Sequence, residues 1–189
     1  MYAGTSGWAY PEWRPAFYPE GMPANRMLAA YARHFATVEV NNTFYRMPKE
    51  QAFAGWRAAV PPEFKFAFKA HRAITHRKNF AAMGDMLARF AELLGPMGST
   101  LGPVLFQFDI IADVPQLTDF LAMVKPSFPR VVVELRHKTW LTDECFDVLR
   151  AQDVALCRTE TDEGTEPEVE TSFAYLRLRK SAYAGPELE

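Results

Sequence analysis

The residues most able to do chemistry stand on one side of five extended runs, near the same end of each. In TVEVNN (37–42), Val38 and Val40 share one face, leaving Glu39 and Asn41 on the other. FKFAFK (64–69) sets three phenylalanines against Lys65, Ala67 and Lys69. PVLFQF (103–108) turns Gln107 away from Val104 and Phe106, and VVVELR (131–136) turns Glu134 and Arg136 away from Val133 and Leu135. SFAYLRLR (172–179) sets Tyr175, Arg177 and Arg179 against Leu176 and Leu178. A buried polar group without a partner costs a few kcal/mol. Polar faces on five strands therefore describe either a closed set of ion pairs or a ligand site.

Charge bears on the choice. Two carboxylates, Glu39 and Glu134, face four cations, Lys69, Arg136, Arg177 and Arg179. Holding the surplus positive charge away from water without an anion is expensive. This balance points to a small anionic ligand bearing phosphate or carboxylate, groups that Arg recognises with its planar fork. Glu39, Glu134 and His137 are the acid–base candidates, and Asn41, Lys69, His76, Gln107, Arg136, Trp140, Arg177 and Arg179 the ligand-binding ones. His71, His76 and His137 all follow strand ends, and His137 comes directly after Glu134 and Arg136. His34 falls in a helical pattern. Glu39, Glu134 and a histidine could hold a divalent metal, but the surrounding cations oppose it. No cofactor or metal is required by the sequence. Trp8, Tyr10, Trp13, Phe44, Tyr45 and Trp140 either stack on a planar ligand or close the top of the fold.

The elements that must position these residues follow a strand–helix rhythm. Strands begin near residues 2, 37, 64, 103, 130, 154 and 173. Helical periodicity is seen at Leu28/Tyr31/Ala32/Phe35 with Asn25 as a cap, and again over 50–58, 83–94 and 115–124. Another helix follows Thr142 as its cap, and the acidic run Glu160–Glu170 reads as a solvated loop. The spacing suits right-handed crossovers between parallel strands, and no glycine fingerprint for a dinucleotide is present. The expected architecture is a TIM-type (β/α) barrel forming one domain over residues 1–189, with its site at the C-terminal strand ends.

Composition narrows the function classes. A net charge of −2 gives no chain-wide basic footprint for nucleic acid or anionic lipid. Cys145 and Cys157 make no disulfide framework. No apolar run approaches the roughly 18–20 residues of a membrane span, and no secretory signal opens the sequence. A cytoplasmic location is the expectation.

GTSGWAYPEW (4–13), FATVEVNNTFYRMP (35–48), FKFAFKAHRAITH (64–76), GPVLFQF (102–108), VVVELRHKTW (131–140) and SFAYLRLR (172–179) resemble, in order, the motifs of the YecE-like family, domain of unknown function 72. The resemblance implies a TIM-type barrel and no particular activity. It implies that Glu39, Asn41, Lys69, His76, Gln107, Glu134, Arg136, His137, Trp140 and Arg177 occupy the family's recurrent polar positions. Two departures stand out. Phe108-Asp109 replaces the family's usual apolar–proline pair, and the sequence ends at Glu189, where the family continues into an eighth strand. The expectation is a barrel truncated after strand seven, with open edges through which chains could associate.

Three functions fit these residues. The first is an enzyme, such as an acid/base hydrolase or lyase using Glu/His chemistry on a small anion. The second is a nucleic-acid-binding or endonuclease-like barrel, suggested by fold analogy. The third is a non-catalytic ligand-binding protein using the same pocket.

Overall fold

The structure, a computed structural model, describes residues 1–75 and 83–183. After an irregular aromatic segment come α1 (Ala24–Tyr31), β1 (Thr37–Val40), α2 (Asn42–Tyr45), α3 (Glu50–Ala58), β2 (Lys65–Lys69) and α4 (Arg72–Thr75). They are followed by α5 (Gly84–Leu94), β3 (Leu101–Phe108), α6 (Val114–Val124), β4 (Val131–Leu135), α7 (Asp143–Ala151), β5 (Ala155–Thr161), β6 (Gly164–Thr165) and β7 (Tyr175–Leu178). Strands β1 to β5 pair side by side in parallel, and β7 continues the parallel order beyond β5. β6 closes a short antiparallel hairpin on the end of β5. No helix among the described residues is long and apolar enough to cross a membrane.

The sheet is curled. On a flat sheet, the five spacings from β1 to β7 would hold those strands roughly 24 Å apart. Yet Arg177 Nη2 on β7 lies 2.8 Å from Glu39 Oε1 on β1. Only a sheet wrapped toward closure brings its ends within side-chain reach.

Strand alternation sorts the core into two layers. Val38, Val40, Phe66, Phe68, Val104, Phe106, Val133 and Leu135 are buried on the outer face, where they pack with helix residues such as Phe53, Leu87, Phe120 and Leu149. The inner face is filled at its lower level by Leu105, Val132, Ala155 and Cys157, backed by Phe173 and Tyr175. β4 is buried along its whole length, as a central strand covered on both sides should be. On β7, by contrast, the outward Leu176 and Leu178 are 55% and 52% exposed.

Several local expectations needed correction. The strand expected at residues 2–8 is one parallel bridge, Ser6 to Glu39, supported by the Glu39 amide donating to Thr5 O at 3.0 Å. Gly7, at φ +99°, turns the chain away immediately afterwards. Asn25 lies inside α1, whose N-cap position is Pro23, so it caps nothing. The segment after β1, for which no element was expected, forms the short α2. The strand expected to begin near residue 154 is β5, which runs to Thr161 and so into the acidic run, and that run is engaged rather than simply solvated. Glu160 pairs with Lys180 at 2.9 Å, Glu168 pairs with Arg158 at 2.9 Å, and Glu166 accepts the Thr159 amide. Thr142 does cap α7, accepting the Cys145 amide at 3.3 Å.

Candidate functional site

Tyr31 holds the N-terminal segment, its hydroxyl receiving the Thr5 amide at 2.8 Å and donating to Thr37 O at 3.0 Å. That segment runs so close to β1 that a Cβ on Gly4 would sit 2.0 Å from Thr37 O. Ser6 is thereby placed with its hydroxyl donating to Glu39 Oε1 at 3.0 Å. α2 is fixed by the buried Thr43, whose Oγ1 lies 3.0 Å from Val40 O and 2.7 Å from Lys69 O. This sets the Phe44 ring 4.4 Å from Lys69 Nζ, a cation–π contact in a buried setting.

Arg177 is the centre of the cluster. Its Nη2 donates to Glu39 Oε1 at 2.8 Å, and its Nη1 donates to Glu134 Oε2 at 3.1 Å. Tyr175 Oη donates to Glu39 Oε2 at 2.6 Å. Glu134 Oε1 accepts from Arg136 at 3.0 Å (Nε) and 2.9 Å (Nη2), while Lys69 Nζ lies 3.6 Å from Oε2. Lys69 Nζ also donates to Gln107 Oε1. All four oxygens of the two buried carboxylates are therefore engaged.

Burial by itself would raise the Glu39 carboxyl, but Arg177 and hydrogen bonds from Tyr175, Asn41 and Ser6 outweigh it and hold the group below its ordinary range. The same burial, with the Glu39 charge beside it, pushes the Tyr175 phenol well above its ordinary value. Glu39 is thus a fixed anion and Tyr175 a fixed donor. Deeper in, burial and the nearby Glu134 push the Cys157 thiol up to about 12, leaving it an inert core residue.

Above the carboxylates opens a cavity of about 210 Å³, lined by Asn41, Phe44, Tyr45, Lys69, Arg136, Arg177 and Arg179. Its wall holds four cationic side chains and no carboxylate. Two buried polar atoms on these residues, Asn41 Oδ1 and Arg177 Nε, have no partner among the described residues. An unpaired buried polar atom in a native fold calls for an explanation, and two of them belong to residues that line this cavity.

Most of the sequence-predicted site comes together here. Asn41, Lys69, Arg136, Arg177 and Arg179 line the cavity, while Glu39, Glu134 and Gln107 support it from behind. Two of the expected residues do not join them. His137 acts as a local cap, its ring nitrogen facing the Thr139 amide and hydroxyl. Trp140 is buried in the outer layer, packed on Phe108 with its indole N–H on Ile110 O at 2.8 Å. His76 lies outside the described residues. Of the aromatic candidates, only Phe44 and Tyr45 line the cavity; Trp8 packs on Trp56, and Trp13 stacks on Tyr18. Ser6 and Tyr175 were not singled out as site residues, although the position of Tyr175 on the Arg177 face was a usable signal. Among the described residues, no three His, Cys, Asp or Glu side chains gather as a metal-ligand set.

Comparison with known proteins bears on the family and the fold. The family model for "Protein of unknown function DUF72" matches residues 2–188. UPF0759 protein YecE of Escherichia coli (strain K12) is 29% identical over 140 residues, covering 72% of this chain and 48% of that protein. UPF0759 protein YunF of Bacillus subtilis (strain 168) is 26% identical over 156 residues, covering 78% of this chain and 54% of that protein. The chain thus spans about half the length of the curated relatives it matches. A DUF72 family protein from Thermotoga maritima superposes over 100% of this chain and 76% of its own, with a TM-score of 0.77 at 24% identity. One from Enterococcus faecalis covers 87% of this chain and 63% of its own, with a TM-score of 0.67 at 19% identity. These two likenesses concern the fold. With the ordered motifs, the curled parallel sheet and the match along nearly its whole length, the chain belongs to the DUF72 family.

Proposed function

We propose that the protein binds a small anionic ligand, carrying phosphate or carboxylate, in the cavity at the C-terminal ends of its strands. The observation that carries this reading is the cavity wall itself: Lys69, Arg136, Arg177 and Arg179 face one space with no carboxylate among them. Glu39 and Glu134 neutralise part of that charge from below and hold Arg177 in place. The remaining positive charge suits an anion, and Arg136, paired with Glu134 but with its side chain 41% exposed, presents its outer edge to one.

Binding ranks ahead of an acid–base mechanism run by Glu39, Glu134 and His137. Both carboxylates already have their oxygens engaged, and His137 caps a turn outside the cavity wall. We also read the curled sheet as the larger part of a (β/α) barrel, with the Ser6 segment as its first stave. The parallel strand order and the contact between β1 and β7 support that reading.

A thermal-shift survey of phosphorylated and carboxylated metabolites tests the function. A ligand of this site raises the unfolding midpoint of the wild type and has a much smaller effect on Arg136→Ala. A survey without hits, or hits indifferent to Arg136, contradicts it.

A further inference from the structure

Resting on that reading, we propose that Lys69 is a nucleophile in the cavity and that the anionic ligand carries a carbonyl group, with which Lys69 condenses to an imine. Lys69 is 7% exposed, yet its side chain forms part of the wall of the cavity. Its Nζ is packed on the Phe44 ring at 4.4 Å and has Glu134 Oε2 at 3.6 Å. A lysine that only balanced charge would be expected in close contact with the carboxylate. Here Arg136 and Arg177 hold the short contacts to Glu134, at 2.9 and 3.1 Å, while Lys69, at the longer distance from that carboxylate, donates to the neutral amide oxygen Gln107 Oε1.

Desolvation together with neighbouring cations is the environment that turns a lysine ammonium into an amine nucleophile. Both are present. Burial lowers the Lys69 ammonium below its ordinary range, and Arg177 and Arg136 add to the effect against the opposing pull of Glu134. The same arginines that favour the neutral amine would hold the ligand's carboxylate or phosphate, so the ligand's charged end and its carbonyl carbon would be set by the same wall.

The step balances without an added oxidant or reductant. The lone pair of the neutral Nζ amine forms a bond to the carbonyl carbon, the C=O π electrons move to oxygen, and one N–H proton passes through solvent to that oxygen, giving a carbinolamine. The second N–H proton passes through solvent to the carbinolamine hydroxyl, which leaves as water. Loss of water then gives the C=N bond, so amine plus carbonyl becomes imine plus water. The substrate class is a small 2-oxo acid or a phosphorylated aldehyde or ketone.

The test is reductive trapping. The protein is incubated with glyoxylate, pyruvate or glyceraldehyde 3-phosphate and sodium cyanoborohydride, which supplies the hydride that fixes the imine as a secondary amine. Intact mass and peptide mapping then locate the adduct. The expected result is modification of Lys69 at least about tenfold faster than of exposed lysines, as an activated amine requires. It should be lost in Lys69→Met and suppressed by excess inorganic phosphate. Modification spread evenly over surface lysines, or absent from Lys69, overturns the inference. Should Lys69→Met fail to fold, mapping of the wild-type adduct decides alone. Parallel thermal shifts with inorganic phosphate and acetate separate the two claims. A shift without a Lys69 adduct overturns the imine chemistry and leaves anion binding standing; neither shift nor adduct overturns both.

Discussion

Arg177 and Glu39 stand on strands separated by four others in the sheet order, yet Nη2 of the one lies 2.8 Å from Oε1 of the other. The same guanidinium reaches Glu134 at 3.1 Å, so one side chain on β7 ties together carboxylates from β1 and β4. This contact ties the far ends of the curled sheet together and also aims Arg177 at the cavity.

Removing that guanidinium should be costly. Arg177→Ala leaves two buried carboxylates short of their shared cation, and breaking a buried pair from one side costs about 3–5 kcal/mol. Equilibrium unfolding in urea reads the loss directly. Arg177→Lys, which keeps charge but cannot span both carboxylates, should fall between the wild type and alanine.

Tyr175→Phe deletes a single hydroxyl and leaves Glu39 Oε2 without its donor at 2.6 Å. A hydrogen bond to a buried charged group contributes about 1.5–3 kcal/mol, and the urea midpoint should drop accordingly with little change in slope.

The pH dependence of stability follows from Glu39. Its folded value lies below its unfolded one, so the carboxylate's contribution is fully present above the unfolded value, about 4.3 for glutamate. It is lost as pH falls from there through the lower folded value. Glu39→Gln should be less stable at neutral pH and should show a shallower acid limb than the wild type. An unchanged acid limb would contradict the assignment.

How much of this was legible in the sequence depends on the kind of interaction. Alternation in FKFAFK and VVVELR sorted inner from outer residues correctly, because a strand buried on both faces has only two sides to offer. The identity of Arg177 as the partner of Glu39 was legible only as complementary charge, since the pairing depends on the curl of the whole sheet. Ser6 reaches Glu39 through a backbone approach that single hydroxyls do not announce. His137 and Trp140 were drawn into the site by their position after a strand end. The 3-10 turn at Lys138–Trp140 sends one to a cap and the other into the outer core. The engagement of the acidic run is not legible because its partners meet it only in the folded sheet: Arg158 reaches Glu168 across the β5–β6 hairpin, and Lys180 reaches Glu160 through the pairing of β5 with β7.

The close approach at Gly4 gives a separate test of how Ser6 is placed. Gly4→Ala must push the N-terminal segment off Thr37 O, and overpacking of this kind costs about 1–3 kcal/mol. Combined with Ser6→Ala, the effect should be less than additive, because the displaced segment no longer presents the Ser6 hydroxyl to Glu39.

The central claim is that the cavity above Glu39 and Glu134 is an anion site. Its most direct measurement is calorimetric titration of the best thermal-shift hit into the wild type, Arg136→Ala and Arg179→Ala. The account predicts saturable binding in the wild type, a loss of at least about tenfold in affinity for each variant, in line with a lost charged hydrogen bond, with an unfolding curve close to wild type for Arg179→Ala and a lower midpoint for Arg136→Ala, which strips Glu134 Oε1 of its donors. Equal affinity in all three proteins would contradict it.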